Sequence, residues 1–403
     1  MLKSSISVHE LRIGMYVARL DLAWFRSPFL RHSFLIEQTS QIERLVRAGV
    51  KSVEIDLDRG IAAPPDSRSN NLLRTAEPHA VGMPSTEPRP VKSLAQLTEE
   101  YAQAKLAQQQ LGQAVDSVYS SIAKTGVVQP EQATEAVQEI TIVARTLPKS
   151  AMFMALSQHR AGDASLSRHA LATCTLSLVI GQSLQLNPLE LHELATAALL
   201  HDIGLLQIPA TVIRRARVTS SPLSQQEQLQ FRMHPRLSVL TMERQGGFES
   251  AVLDLVVTHH PSRCNEGVLS QAATASMPDR ISILMLADRY DELITGFGGT
   301  TPLSPQEAIQ RLYLEVHQGQ LDQNILTHFI KTVGIYPMHS YVELNTTEAA
   351  VVTDLNPDRL HQPIVAITHQ PGWVEYPAPF VVNLARQEDQ ERARGIESGS
   401  LLH

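Results

Sequence analysis

The chain has 403 residues, enough for two or three domains with separate cores. Hydrophobic residues make up 43% and charged residues 19%, an ordinary globular mixture, and the net charge of −7 excludes a broad basic surface for nucleic acid polymers. A small anionic ligand stays open, because a local pocket decides that. The start, Met1-Leu2-Lys3-Ser4-Ser5, lacks the apolar core of a signal peptide. No apolar run nears the roughly 18–20 residues that span a bilayer. Cys174 and Cys264 form neither a CxxC pair nor a disulfide framework. A reduced, cytoplasmic chain with no membrane contact is expected.

In chain order, residues 1–62 alternate β-rich stretches (Met15-Tyr16-Val17, Val50 to Ile55) with a short helical stretch from Gln41 to Ala48, which predicts a small α+β domain. Residues 63–92, rich in Pro, Ser, Asn and Arg, read as a flexible linker. Over residues 93–147 two connecting helices are expected. The first is opened by Ser93 and Gln96 and carries Leu94, Leu97, Tyr101, Ala104, Leu111, Val115, Val118 and Ile122 on one face until Gly126. That face could line a homodimer seam or pack on its own domain. The second runs from about Gln132 to Arg145, ended by Pro148. Residues 148–332 are helical almost throughout. Short strands at Tyr341–Leu344, Ala350–Val352 and Pro363–Ile367 form a β appendix over 333–385, and 386–403 reads as a frayed tail.

The chemistry lies where His and Asp fall on the helices. Asn187, Pro188 and Glu190 start a helix whose end is His201-Asp202-Ile203-Gly204, with Gly204 suited to a left-handed C-terminal position. His169 sits on a helix from Ser165 to Leu184, and His234 precedes Pro235 after a Ser224/Glu227 capping box. His259-His260 closes the helix Glu249–Thr258, and Asp288 lies on a helix from about Pro278 to Gly296. A single such His is ordinarily a hydrogen-bonded core or surface residue. The joint order, His, His-Asp, His, His-His, Asp, each on its own helix, is what points to metal. Seven donors exceed one ion and suit two that share a carboxylate. Imidazole and carboxylate without thiolate favour Fe, Mn, Ni, Co or Zn. Two ions about 3.5–4 Å apart clamp both oxygens of an in-line phosphoryl displacement.

At these residues the sequence resembles the HD-GYP subgroup of HD-superfamily phosphohydrolases, bacterial enzymes that hydrolyse the second messenger cyclic di-GMP. The resemblance covers roughly Pro148 to Phe329. Val8, Glu10, Leu11, Gly14 to Val17, Leu20-Asp21, Trp24 and Pro28-Phe29 are similar to a domain of unknown function often found ahead of HD-GYP domains, and Gly334 to Pro337 with Val342 to Leu344 to their C-terminal extension. The resemblance implies a mainly α protein with an all-helical HD-type domain. It implies Asp202 bridging two divalent ions, with His169, His201 and Asp288 completing one site and His234, His259 and His260 the other. It also implies catalytic roles for His201 and Asp202.

The departures fall on the substrate side. The family's phosphate-facing lysine after HDIG is Leu205 here, and of the Gly-Tyr-Pro segment only Gly267 survives, in Pro261 to Leu269. Phe297-Gly298-Gly299-Thr300-Thr301-Pro302 replaces an Arg-Pro-Tyr-Arg run, and an acidic ligand four residues before the first His is Ser165. A lost charge-assisted contact costs about 1.5–3 kcal/mol. Arg214, Arg215, Arg217 and Arg263 lie near the altered loops and, with Gly267, are the candidate substrate contacts; for Arg214 to Arg217 an exposed basic stretch serves equally well. The resemblance therefore predicts a cyclic di-GMP phosphodiesterase, weakened by its altered loops. The alternatives are a catalytically inactive signalling module acting through protein partners, or hydrolysis of another nucleotide.

Overall fold

The computed structural model describes residues 3–20, 34–36, 39–47, 50–56, 94–146, 165–216, 223–260, 278–297, 301–338, 340–387 and 394–402. The expected linker at 63–92, Trp24, Pro28, Phe29, Pro148, Arg217 and the segment Pro261 to Leu269 with Arg263, Cys264 and Gly267 lie outside those residues. The chain divides into two compact units, Met1–Lys92 and Ser93–His403.

The first unit is an antiparallel sheet with one helix. Strands β1 (Lys3–Ser7), β2 (Tyr16–Leu20), β3 (Phe34–Leu35) and β4 (Ser52–Asp56) lie in the order β1-β4-β2-β3, joined by helix α1 (Thr39–Arg47). Alternation along β2 and β4 sends Val17, Val53 and Ile55 to one face, where they pack with Val8, Leu11, Met15, Ile36, Leu45 and Val50. β1 was not predicted. Its only apolar interior residue is Ile6, and the strand exists because Lys3 to Ser7 pair with Asp56 to Ser52.

The second unit opens with α2 (Leu94–Thr125) and α3 (Pro130–Thr146). Ala104, Leu111, Val115, Val118 and Ile122 on α2 are buried within this unit, so the apolar face is used by its own domain. Gly126 stops α2 with φ +69°. There follow α4 (Leu166–Ser183), α5 (Pro188–Leu200), α6 (Ala210–Ala216), α7 (Gln225–Arg232), α8 (His234–Glu243), α9 (Ser250–Thr258), α10 (Pro278–Thr295), α11 (Pro305–His317) and α12 (Gln323–Val333). α4 is buried on every side from His169 to Gly181, which is why it lacks a polar stripe. Asn187 caps α5 in a reciprocal box with Glu190, and Pro188 fills its first turn. No helix among the described residues is long and apolar enough to cross a membrane.

Two expectations about the C-terminal region need correction. The appendix is a five-stranded antiparallel sheet of β5 (Tyr341–Leu344), β6 (Ala349–Asp354), β7 (Ile364–Gln370), β8 (Val374–Asn383) and β9 (Ile396–Leu402), ordered β8-β7-β6-β5-β9. β8 was hidden by Pro377 and Pro379. A sheet tolerates them because β8 is an edge strand and its pairing skips from Phe380 to Glu375. The tail is not frayed throughout: Ile396, Leu401 and Leu402 pair with Leu344, Val342 and Tyr341, so a strand appears where local composition offered none.

Candidate metal centre

The centre is built at helix ends. α5 stops at Leu200, His201 follows as its C-terminal cap, and Asp202 leads into a 3-10 turn, Ile203–Gln207. Gly204 does not take the left-handed conformation expected of it; it is absent from the positive-φ residues. Its role is proximity. A Cβ there would lie 2.1 Å from the His234 carbonyl oxygen and 2.6 Å from the Ser238 amide nitrogen. The Gly204 N–H donates to Ser238 Oγ (2.8 Å), and that hydroxyl donates to the His201 carbonyl (2.6 Å). The 3-10 turn and the first turn of α8 are thereby clamped together, which sets His234 Nε2 3.0 Å from Asp202 Oδ1.

α4 contributes His169, α9 is followed by its C-cap His259 and by His260, and α10 contributes Asp288. His169 Nε2 is 3.1 Å from Asp288 Oδ1 and 3.7 Å from Asp202 Oδ2, and His201 Nε2 is also 3.7 Å from Asp202 Oδ2. On the other side, His259 Nε2 is 3.5 Å from Asp202 Oδ1. His260 Nε2 lies 3.6 Å from Asp288 Oδ2. Six of the seven donors are nearly sealed from solvent, whereas the His260 side chain keeps 14% exposure and marks the open side.

The proton positions on the rings follow from their partners. His201, His234 and His259 each place Nδ1 against a backbone carbonyl, of Ala198 (2.8 Å), Phe231 (2.7 Å) and Val256 (2.6 Å). A carbonyl only accepts, so each Nδ1 carries its hydrogen and each Nε2 turns a lone pair inward. His169 Nδ1 donates likewise to Asp291 Oδ2 at 2.7 Å. Two pairs of Nε2 atoms then face each other, His169 with His201 at 3.2 Å and His234 with His259 at 3.3 Å. Asp202 Oδ1 is buried with no hydrogen bond among the described residues. Opposed lone pairs and a bare carboxylate oxygen in a buried site are unfavourable unless cations lie between them.

Donor sets with ligand atoms within 4.8 Å of one another are His169/His201/Asp202, His234/His259/His260, His201/His259/Asp288 and His260/Asp288/Glu292. These residue types and atoms fit divalent metal. Without metal, protons take part of that role. Burial opposes charge on His169, but the Asp288 and Asp291 carboxylates outweigh it and lift its pKa well above the ordinary value. Burial pushes His259 down instead. Burial would raise Asp202, yet the imidazoles of His201 and His234 hold it well below the usual carboxylate range.

All seven predicted donors thus lie in one cluster; the predicted substrate contacts do not share that definition. Arg215 is engaged by Glu227 at 2.6 Å, and the Arg214 side chain, like Arg263 and Gly267, is outside the described residues. Leu205 is buried among Ile208, Val212 and Phe297. Sequence reasoning missed Asp291 and Glu292, although both stand three and four residues after Asp288 and so share its helix face. It also missed Ser238, Phe297, whose ring stacks on His169 with centroids 4.1 Å apart, and Tyr119, whose hydroxyl donates to the Leu199 carbonyl at 2.7 Å. No local signal identifies Ser238 or Tyr119, and Phe297 stands out in the sequence only as a departure from the family pattern, not as a neighbour of His169.

Comparison with known proteins finds matches over both parts of the chain. Residues 3–133 match a domain of unknown function, DUF3391, and residues 152–325 match the HD domain. Over 395 residues the chain is 26% identical to the cyclic di-GMP phosphodiesterase PA4108 of Pseudomonas aeruginosa, covering 97% of this chain and 91% of that protein. It is 22% identical over 197 residues to the cyclic di-GMP phosphodiesterase PdeB of Borreliella burgdorferi, covering 49% of this chain and 50% of that one. Among solved structures it is similar to Bd1817, an HDG"Y"P protein from Bdellovibrio bacteriovorus, at 15% identity and a TM-score of 0.45, covering 81% and 98% of the two chains. The helices that carry the candidate ligands lie inside the region that matches the HD domain, and a region that matches DUF3391 precedes it.

Proposed function

We propose that this protein is a metal-dependent phosphodiesterase that hydrolyses cyclic di-GMP, using two divalent ions. The observation that carries the reading is the division of Asp202: one oxygen faces the His169/His201 pair and the other the His234/His259 pair. In this assignment His169, His201 and Asp288 hold one ion, His234, His259 and His260 the other, and Asp202 serves both. Such a pair of ions supplies Lewis-acid polarisation of a phosphodiester and a lowered pKa for attacking water. The protein's own part is to aim the Nε2 atoms of His169, His201, His234 and His259 inward by their Nδ1 contacts, to exclude bulk water from the sealed donors, and to leave the His260 side open to substrate. The choice of cyclic di-GMP rests on the two phosphodiesterases to which the chain is similar.

The test is direct. Protein loaded with Mn(II) or Fe(II) is expected to convert cyclic di-GMP into linear dinucleotide or mononucleotide, followed by chromatography, and excess chelator to stop it. Metal retained without any turnover would overturn the reading in favour of a signalling module.

Two further results are expected here. Asp291→Ala removes the carboxylate that fixes His169 and should weaken Mn(II) binding about 10–100-fold, read by metal titration. An unchanged affinity would show that Asp291 does not orient the ligand. Leu205→Lys, the substitution that restores the family's residue, should fail to tighten substrate binding. The position is buried in an apolar cluster, so the change should cost about 3 kcal/mol or more in stability, read as a lower Tm. A lower KM with unchanged Tm would count against this placement.

A further inference from the structure

The boundary between the two halves of this chain depends on how it is drawn. By sequence similarity the DUF3391 region runs to residue 133 and includes α2. By packing, the compact units part between Lys92 and Ser93, which leaves α2 in the same unit as the metal centre. There α2 packs against α3 and α4 and touches the 3-10 turn after Asp202.

Two of its side chains reach the segments that carry ligands. Tyr119 is 5% exposed, and its hydroxyl donates 2.7 Å to the carbonyl of Leu199, two residues before His201. Asp116, three residues earlier on the same helix face, accepts a hydrogen bond from the Ser167 hydroxyl, two residues before His169. Ser167 also contacts the hydroxyl of Ser165, the N-cap of α4.

The Leu199 contact has a specific meaning. The last carbonyls of an α-helix have no partner within it, and α5 ends at Leu200. Three carbonyls around this end are each taken by a side chain: Ala198 by His201 itself, Leu199 by Tyr119, and His201 by Ser238. Two of those side chains come from the HD helices; Tyr119 comes from the matched DUF3391 region.

We propose that α2 is a positioning element of the metal centre, with Tyr119 setting His201 and Asp202 and Asp116 setting His169. The domain of unknown function thus contributes the brace that keeps the two ligand-bearing helix ends at their spacing. The catalytic part of this inference rests on the phosphodiesterase reading; the metal-binding part does not.

The experiment compares full-length protein with Tyr119→Phe, Asp116→Ala and a control, Ile122→Val, which trims a buried side chain of α2 that bonds to neither helix end. Mn(II) affinity, Tm and the kinetics of cyclic di-GMP hydrolysis are measured on each. Tyr119→Phe leaves the Leu199 carbonyl without its partner, and a displaced ligand shell should weaken Mn(II) binding and kcat about 10-fold with KM changed less than about 2-fold. Asp116→Ala should weaken Mn(II) binding about 3-fold or more. Ile122→Val should lower Tm while Mn(II) affinity stays within about 2-fold of the parent.

Parental Mn(II) affinity in Tyr119→Phe, or an equal loss in Ile122→Val, overturns the proposal. Parent protein that binds Mn(II) without hydrolysing cyclic di-GMP sinks the phosphodiesterase reading alone, and the titrations still decide the role of α2. Parent protein that binds no Mn(II) sinks both.

Discussion

Asp202→Ala is expected to lower cyclic di-GMP turnover by about a thousandfold or more, because the loss of metal-borne charge stabilisation is worth several kcal/mol of barrier. The reason lies in its two oxygens, each within 3.7 Å of a separate pair of histidine Nε2 atoms. Replacing any one histidine removes a donor from one ion, whereas removing Asp202 takes a ligand from both. Metal content by elemental analysis should fall together with turnover. Asp202→Asn supplies a useful second point, since it keeps shape and loses charge, and it should retain less metal than the parent. If Asp202→Ala hydrolysed cyclic di-GMP at the parental rate, the shared carboxylate would have no place in the reaction.

The second large effect is expected at a residue that touches no substrate. Gly204→Ala adds one methyl group where backbone atoms of His234 and Ser238 stand 2.1 and 2.6 Å away. Side chains can rotate away from such a clash, but a carbonyl and an amide at the start of a helix cannot. Overpacking of this kind costs about 3 kcal/mol, which corresponds to a fall in Tm of about 5–10 °C. The same displacement pulls α8 from the 3-10 turn and breaks the Ser238 clamp, so Mn(II) affinity should fall alongside stability. A Tm within about 1 °C of the parent would mean that the turn and α8 are not in contact as described. The two substitutions are distinguishable. Asp202→Ala should spare the metal-free fold, or even relieve it by removing a buried carboxylate, whereas Gly204→Ala damages it directly.

These two residues illustrate unequal legibility. Asp202 could be read as a candidate ligand from its neighbours, because an adjacent imidazole and carboxylate at a helix end share reach. Gly204 is required for close approach rather than for a positive φ. A glycine after a helix ordinarily supplies positive φ, and nothing local revealed that another helix, some thirty residues on, would press against its missing side chain. Leu205 and Phe297 follow the same pattern. The sequence marks both as departures from the family, but only packing shows Leu205 inside an apolar cluster and Phe297 stacked on His169.

The sheets show the limit from the other side. β6 and β7 carry short continuous apolar runs with β-branched residues and were legible. β8, with two prolines, and β9, inside a charged and Gly/Ser-containing tail, became strands through partners already in place.

What the sequence by itself determined is the candidate donor set: seven His and Asp residues at helix ends and on helix faces, since capping residues and apolar periodicity are local and set where each helix starts and stops. What only the tertiary structure decided is how those donors are held. Asp291 behind His169, Ser238 across Gly204 and Tyr119 beneath Leu199 are contacts between residues 34 to 122 positions apart. The physical reason is that hydrogen bonds and close packing depend on distance in space, which no local pattern encodes.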